Sequence, residues 1–275
     1  MALIPRSIMT ASAAVSAALE CSTSSENHDD ARPRILCLHG GGVTGAIFKA
    51  QCRGLIRNLP GFRLVFADGP FLSEAGPGIA AVYGDEGPFR SWLVWRPGQA
   101  SLNDETIIQL IHQSLDRCKL EDTGSGPWVG LLGFSQGAKV AASLLYDQQI
   151  RQEKNLERKG TDYRFGVLMA GRAPLVSLCQ QSRSPALSRP SHNSAATFEV
   201  TSPSPHILRI PTLHVHGLQD EGLHLHRQLA ANYCDRNTST ILEWDGAHRL
   251  PFKSSDVLPI TQEIYRIAKA TNVKS

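Results

Sequence analysis

Gly133-Phe134-Ser135-Gln136-Gly137 places a hydroxyl between two glycines in the spacing G-x-S-x-G. In a chain of this composition roughly 0.2 copies of such a pentapeptide are expected by chance, so its surroundings must decide what it means. They are favourable: the apolar run Trp128 to Leu132 precedes it and a helix-forming stretch from Ser135 to about Gln149 follows. A serine at a strand–helix junction of this kind sits on a strained turn that lifts its oxygen above the sheet. A serine hydroxyl attacks an acyl carbon only when a base takes its proton, and the base needs a third group to fix its tautomer. In this topology the order along the chain is serine, acid, histidine. Asp220 follows the apolar run Thr212 to Val215, and His248 follows the run Thr240 to Trp244. Both therefore fall at the carboxyl edge of a sheet, where open α/β folds build their sites. Glu221 and Asp245 are the alternative orienters. His39-Gly40-Gly41-Gly42 after the first apolar run, Arg34 to Leu38, is suited to stabilising a developing oxyanion. Acyl transfer needs two preorganised N–H donors. They are expected from Gln136 and from Gly41, with Gly42 behind it.

The elements that must position these groups can be read from periodicity. Short apolar runs alternate with helical spacings such as Ile107, Ile108, Ile111 and Leu115, or Val257, Ile260, Ile264 and Ile267. Apolar strands alternating with helices predict an α/β fold, with a mostly parallel sheet covered by helices on both faces. Residues 33–275 are expected to form one domain, after a flexible extension over 1–32. Two segments break the alternation. Gly69 to Gly98 mixes Gly and Pro with Phe71, Tyr83, Phe89, Trp92 and Trp95, and reads as a folded loop. With Phe134 it is expected to wall an acyl channel, bordered by Trp92 or Trp95. Residues 172–206 are rich in Ser and Pro, and their middle reads as a flexible surface excursion. His214 is expected in the core, whereas His224 and His226 are expected on a solvated helix face.

Several function classes are disfavoured. The 275 residues carry 28 basic and 25 acidic side chains without a basic run, which argues against a nucleic-acid partner. No stretch reaches the ~18 apolar residues of a membrane span. The six cysteines are scattered without a Cys-x-x-Cys pair, as in buried free thiols rather than a disulfide scaffold. No His/Cys/carboxylate grouping has convincing zinc spacing, so neither a metal nor another cofactor is expected. The small-residue stretch Ser7 to Glu20 echoes a signal peptide only faintly, so a cytoplasmic protein is the expectation.

Taken together, Leu38-His39-Gly40-Gly41-Gly42, Gly69-Pro70, the Ser135 pentapeptide, His216-Gly217 with Asp220, and Gly246-Ala247-His248-Arg249-Leu250-Pro251 resemble a known family. It is the FSH family of small fungal serine hydrolases within the α/β-hydrolase superfamily, which includes the thioesterase that releases a polyketide from the lovastatin synthase. The resemblance spans roughly Pro33 to Ala270, with Ala247 departing from the expected second Gly before the histidine. It implies Ser135 as nucleophile, Asp220 as acid and His248 as base. It also implies an acyl substrate held as a thioester or ester, carried on the acyl carrier domain of a polyketide synthase. A general short-chain carboxylesterase is the alternative within this chemistry, and a non-catalytic binding module is the alternative outside it.

Overall fold

A computed structural model describes residues 30–94, 102–156, 161–191 and 204–275. Six strands form one parallel sheet in the order β2-β1-β5-β6-β7-β8. They are β1 (Arg34–Leu38), β2 (Arg63–Ala67), β5 (Trp128–Phe134), β6 (Phe165–Met169), β7 (Thr212–Gly217) and β8 (Ser239–Trp244). Side chains alternate across a strand, so a sheet covered on both faces needs apolar residues at both parities. In β1, Ile35 and Cys37 join the core on one face, while Leu36 and Leu38 join the core on the other. The first face is covered by α1 (Gly45–Gln51), α2 (Arg53–Asn58) and α7 (Ser254–Ala270), through Ile47, Phe48, Leu55, Val257, Ile260 and Ile264. The second is covered by α4 (Asp104–Glu121), α5 (Gln136–Glu153) and α6 (Leu223–Tyr233), through Ile107, Ile111, Leu145, Leu229 and Tyr233. This is the expected α/β architecture.

The two interruptions are more ordered than composition alone implies. The Gly69 to Gly98 segment holds an antiparallel ribbon, β3 (Phe71–Ser73) with β4 (Phe89–Ser91), enclosing the short helix α3 (Ala80–Tyr83). The excursion begins with Leu175, Val176 and Leu178, which are buried together with Leu187, so these parts of residues 172–191 pack into the core. The serines are no obstacle. Ser143 Oγ on α5 accepts the Val176 N–H, and Ser188 closes the segment by backbone bonds with Leu175 and Ser177. Residues 192–203 lie outside the described residues, as does nearly all of the N-terminal extension. All five described cysteines are free, and four are buried.

The amino edge of the sheet is tied by charge. Asp122, at the end of α4, receives Arg63 through Nε (2.8 Å) and Nη2 (2.6 Å), and Arg34 through Nη1 (3.2 Å). Its side chain is 3% exposed. Burial alone would raise this carboxyl, but the two guanidiniums outweigh burial and hold it below its ordinary value. A carboxyl depressed in the folded state adds stability above its unfolded value of ~4, and that stability is lost as pH falls below it. Asp122→Asn is expected to cost about 2 kcal/mol and lower the Tm by about 5 °C at pH 7, with a smaller difference at pH 3. Because the network lies at the edge opposite Ser135, ester turnover is expected to stay within twofold of wild type. Thermal melts at the two pH values and one activity assay check this.

Candidate active site

Ser135 occupies the junction of β5 and α5 with φ 53° and ψ −116°. This is a conformation that costs a non-glycine residue of order 1–3 kcal/mol. The surroundings hold it there: the Ser135 N–H donates to Met169 O on β6 (2.8 Å). The two flanking glycines are required by close approach. A Cβ on Gly137 would lie 2.1 Å from Leu38 O, and one on Gly133 would lie 2.4 Å from Gly137 O. The G-x-S-x-G spacing is therefore what lets α5 pack against the end of β1 with the hydroxyl above the sheet.

His248 and Asp220 converge on this hydroxyl from the loops after β8 and β7. Ser135 Oγ donates to His248 Nε2 (2.9 Å), and His248 Nδ1–H donates to Asp220 Oδ2 (2.6 Å). The other oxygen of Asp220 accepts the Gly222 N–H (2.8 Å). Burial alone would raise the Asp220 carboxyl, yet the Gly222 N–H and the His248 imidazole together hold it below its ordinary value. An ionised, buried orienter thus faces Nδ1 and leaves Nε2 as the acceptor, the arrangement a general base requires. Of the three carboxylates weighed from sequence, Asp220 meets His248. Asp245 instead accepts from Gln219, and Glu221 is exposed.

The oxyanion side is built around α5 and the Gly40 to Gly42 loop. Gly42 donates its N–H to Arg90 O (2.9 Å), whereas among the described residues the Gly41 N–H makes no backbone hydrogen bond. Gln136 is the first residue of an 18-residue helix, where amide groups lack an intrahelical acceptor and the helix dipole favours negative charge. His39 is buried and accepts the Gly69 N–H at Nε2 (2.8 Å) while its Nδ1–H donates to Gly40 O (2.7 Å). Burial pushes its pKa down to about 4, so it serves the loop as a neutral strut.

Trp92 corrects the sequence reading. It does not border the cavity: it is fully buried, donates Nε1–H to His39 O (3.0 Å), and donates its backbone N–H to Gln136 Oε1 (2.7 Å). The indole N–H satisfies a loop carbonyl that would otherwise be stranded in the core, so the ring is drawn inward. Trp95 lies outside the described residues. Phe134 does line the cavity, and its ring lies against the His248 ring at 5.0 Å. His226 is the second correction. It is 0% exposed rather than solvated, with its ring 6.2 Å from that of His248 and Nε2 3.8 Å from Asp220 Oδ2. Asp220, His226 and His248 thus bring three donor atoms within 4.8 Å. An ion there would have to break the 2.6 Å hydrogen bond that orients His248.

The cavity opening on Ser135 measures about 910 Å³. Sequence reasoning missed much of its lining. Ile79 and Val82 come from α3 and its N-cap, Leu250 and Phe252 follow His248, Lys139 closes the first turn of α5, and Arg172 follows β6. Lys139 had a legible signal, since a residue four places after Ser135 on a helix shares its face. The others depend on tertiary packing.

The profile of the family described as serine hydrolase (FSH1) matches residues 29–260. The chain is 50% identical over 248 residues to esterase citA of Monascus ruber, covering 87% of this chain and 93% of that one. It is 46% identical over 250 residues to esterase claE of Penicillium crustosum, covering 88% and 94%. Among solved structures, the acyl-protein thioesterase 2 of Zea mays shares the fold at 17% identity and a TM-score of 0.53, over 86% of this chain and 94% of that one. Among the described residues no helix is long and apolar enough to cross a membrane. With a profile match running from before β1 into α7, the chain belongs to the serine hydrolase (FSH1) family.

Proposed function

We propose that this hydrolase releases a long, polyketide-type acyl chain held as a thioester, through an acyl-enzyme on Ser135. His248 Nε2 takes the Ser135 proton as Oγ bonds to the acyl carbon, and the oxyanion rests on the N–H groups of Gly41 and Gln136. Collapse breaks the carbon–sulfur bond, and the thiol leaves with the proton from His248. Water then loses a proton to Nε2, attacks the acyl carbon and frees the acid as Oγ recovers its proton. Asp220 stays ionised throughout and orients the imidazole.

The observation that carries the substrate class is the cavity. At about 910 Å³, lined by Val43, Ile79, Val82, Tyr83, Phe134 and Phe252, it lies at the upper end of small-ligand pockets. A short acyl group would leave most of that wall unused. The resemblance to polyketide-releasing thioesterases points the same way, and with it to delivery on an acyl carrier domain. The buried free thiols fit work in the cytoplasm.

Thioesters of N-acetylcysteamine, from acetyl to dodecanoyl, test the reading on the purified enzyme. Each methylene buried contributes ~0.8 kcal/mol, so kcat/KM is expected to rise at least tenfold along the series. A flat profile, or a maximum at acetyl, would identify a general short-chain esterase instead.

A further inference from the structure

The wall of the cavity beside α5 and β6 differs in kind from the apolar remainder. Lys139 is 7% exposed, and Arg172, in the loop that follows β6, lines the same cavity. The two cations are near enough that Arg172 adds to burial, the larger cause, in holding the Lys139 ammonium down to about 8. The guanidinium of Arg172 packs against Gly222, and its Nε is buried without a hydrogen-bond partner. Arg172 forms no ion pair among the described residues. Among the described residues, the charged side chains lining the cavity are Arg53, Lys139, Arg172 and Arg249, and no Asp or Glu lines it.

Two like charges held together at a half-dry wall repel each other, and each loses hydration. An anion at this wall is attracted by both charges and pairs best with the planar fork of the guanidinium, whose Nε lacks a hydrogen-bond partner. Placement decides which part of the substrate carries that anion. Arg172 follows β6 and Lys139 lies one turn into α5 from Ser135, and both line the cavity that opens on Ser135. We infer that Lys139 and Arg172 form a subsite for a carboxylate borne on the acyl chain, so that the preferred substrates are acyl thioesters carrying a second acid group. This deepens the thioesterase reading and rests on it.

The test compares N-acetylcysteamine thioesters of dicarboxylic half-acids, glutaryl to sebacyl, with their methyl-capped counterparts of equal length. At the best length, wild-type kcat/KM is expected to favour the acid at least tenfold. Arg172→Met and Lys139→Met should each cut that preference at least fivefold, and Arg172→Lys should keep part of it. A purely structural role for Arg172 against Gly222 would lower turnover of both partners equally and leave the ratio unmoved, which would overturn the inference. So would a wild type indifferent to the acid at every length. Coenzyme A thioesters of neutral acyl groups form a second arm. If Arg172→Met acts on these and not on the half-acids, the cations serve a phosphate of the leaving group, and the acyl assignment fails. Calorimetry with free suberate and octanoate on Ser135→Ala removes any dependence on turnover. Tighter binding of suberate, lost in Arg172→Met, upholds the subsite even if thioester hydrolysis fails; equal binding rejects it even if hydrolysis succeeds.

Discussion

Ser135→Ala is expected to fold as wild type and to lose both labelling by a fluorophosphonate and thioester hydrolysis, with kcat falling about 10⁴- to 10⁶-fold. The size follows from the role: without Oγ no acyl-enzyme forms, and only binding and the oxyanion donors remain. The fold should be nearly indifferent. What holds residue 135 at φ 53° is the backbone bond to Met169 and the close packing of Gly133 and Gly137, and none of these involves the hydroxyl. A melting curve and a labelling gel check both halves. Turnover near the wild-type rate in this variant would remove Ser135 from the mechanism.

A second large effect is expected at the orienting carboxylate. Asp220→Asn preserves shape, and its amide oxygen can still accept the Gly222 N–H. Its NH₂ group, however, then faces His248 Nδ1 across the 2.6 Å contact and demands an acceptor there. The imidazole proton moves to Nε2, the nitrogen that must accept from Ser135 Oγ, and kcat is expected to fall roughly 10⁴-fold. His248→Ala should be at least as severe. Glu221→Gln and Asp245→Asn should remain within twofold of wild type, since neither side chain reaches His248. If one of these two proved crippling and Asp220→Asn harmless, the acid would have to be reassigned. The result is read from steady-state kinetics on one thioester across the four variants.

How much of this was legible in the sequence varied with the range of the interaction. The strand boundaries of β6, and those of β1, could be read because a sheet buried on both faces requires an unbroken apolar run. The convergence of Ser135, Asp220 and His248 was legible because α/β topology places strand-end loops together at the carboxyl edge in a set order. Trp92 was misread for a physical reason. An aromatic in a Gly- and Pro-rich segment looks like a wall residue until one asks where its indole N–H finds an acceptor, and that partner, His39 O, is 53 residues away. His226 was misread in the same way. On α6 it has polar neighbours in sequence, but the helix turns it toward the triad, where burial lowers its pKa and keeps it neutral. The Ser/Pro-rich excursion was judged by composition, although four apolar side chains within it were enough to pull residues 172–191 onto the sheet.

The side-chain amide of Gln136 has a consequence for engineering. Its Oε1 accepts the N–H groups of Trp92 and Leu93, so the residue proposed as an oxyanion donor also fastens the segment leading away from the ribbon. Substrate range and catalytic rate therefore share a fastening point. Grafting a relative's 69–98 segment onto this scaffold would import a new wall but would also disturb the helix end that carries Ser135. A graft that ignores residue 136 would lose rate on every substrate, old and new alike, whereas one that keeps the pairing of residues 92, 93 and 136 could change selectivity with the chemical step intact.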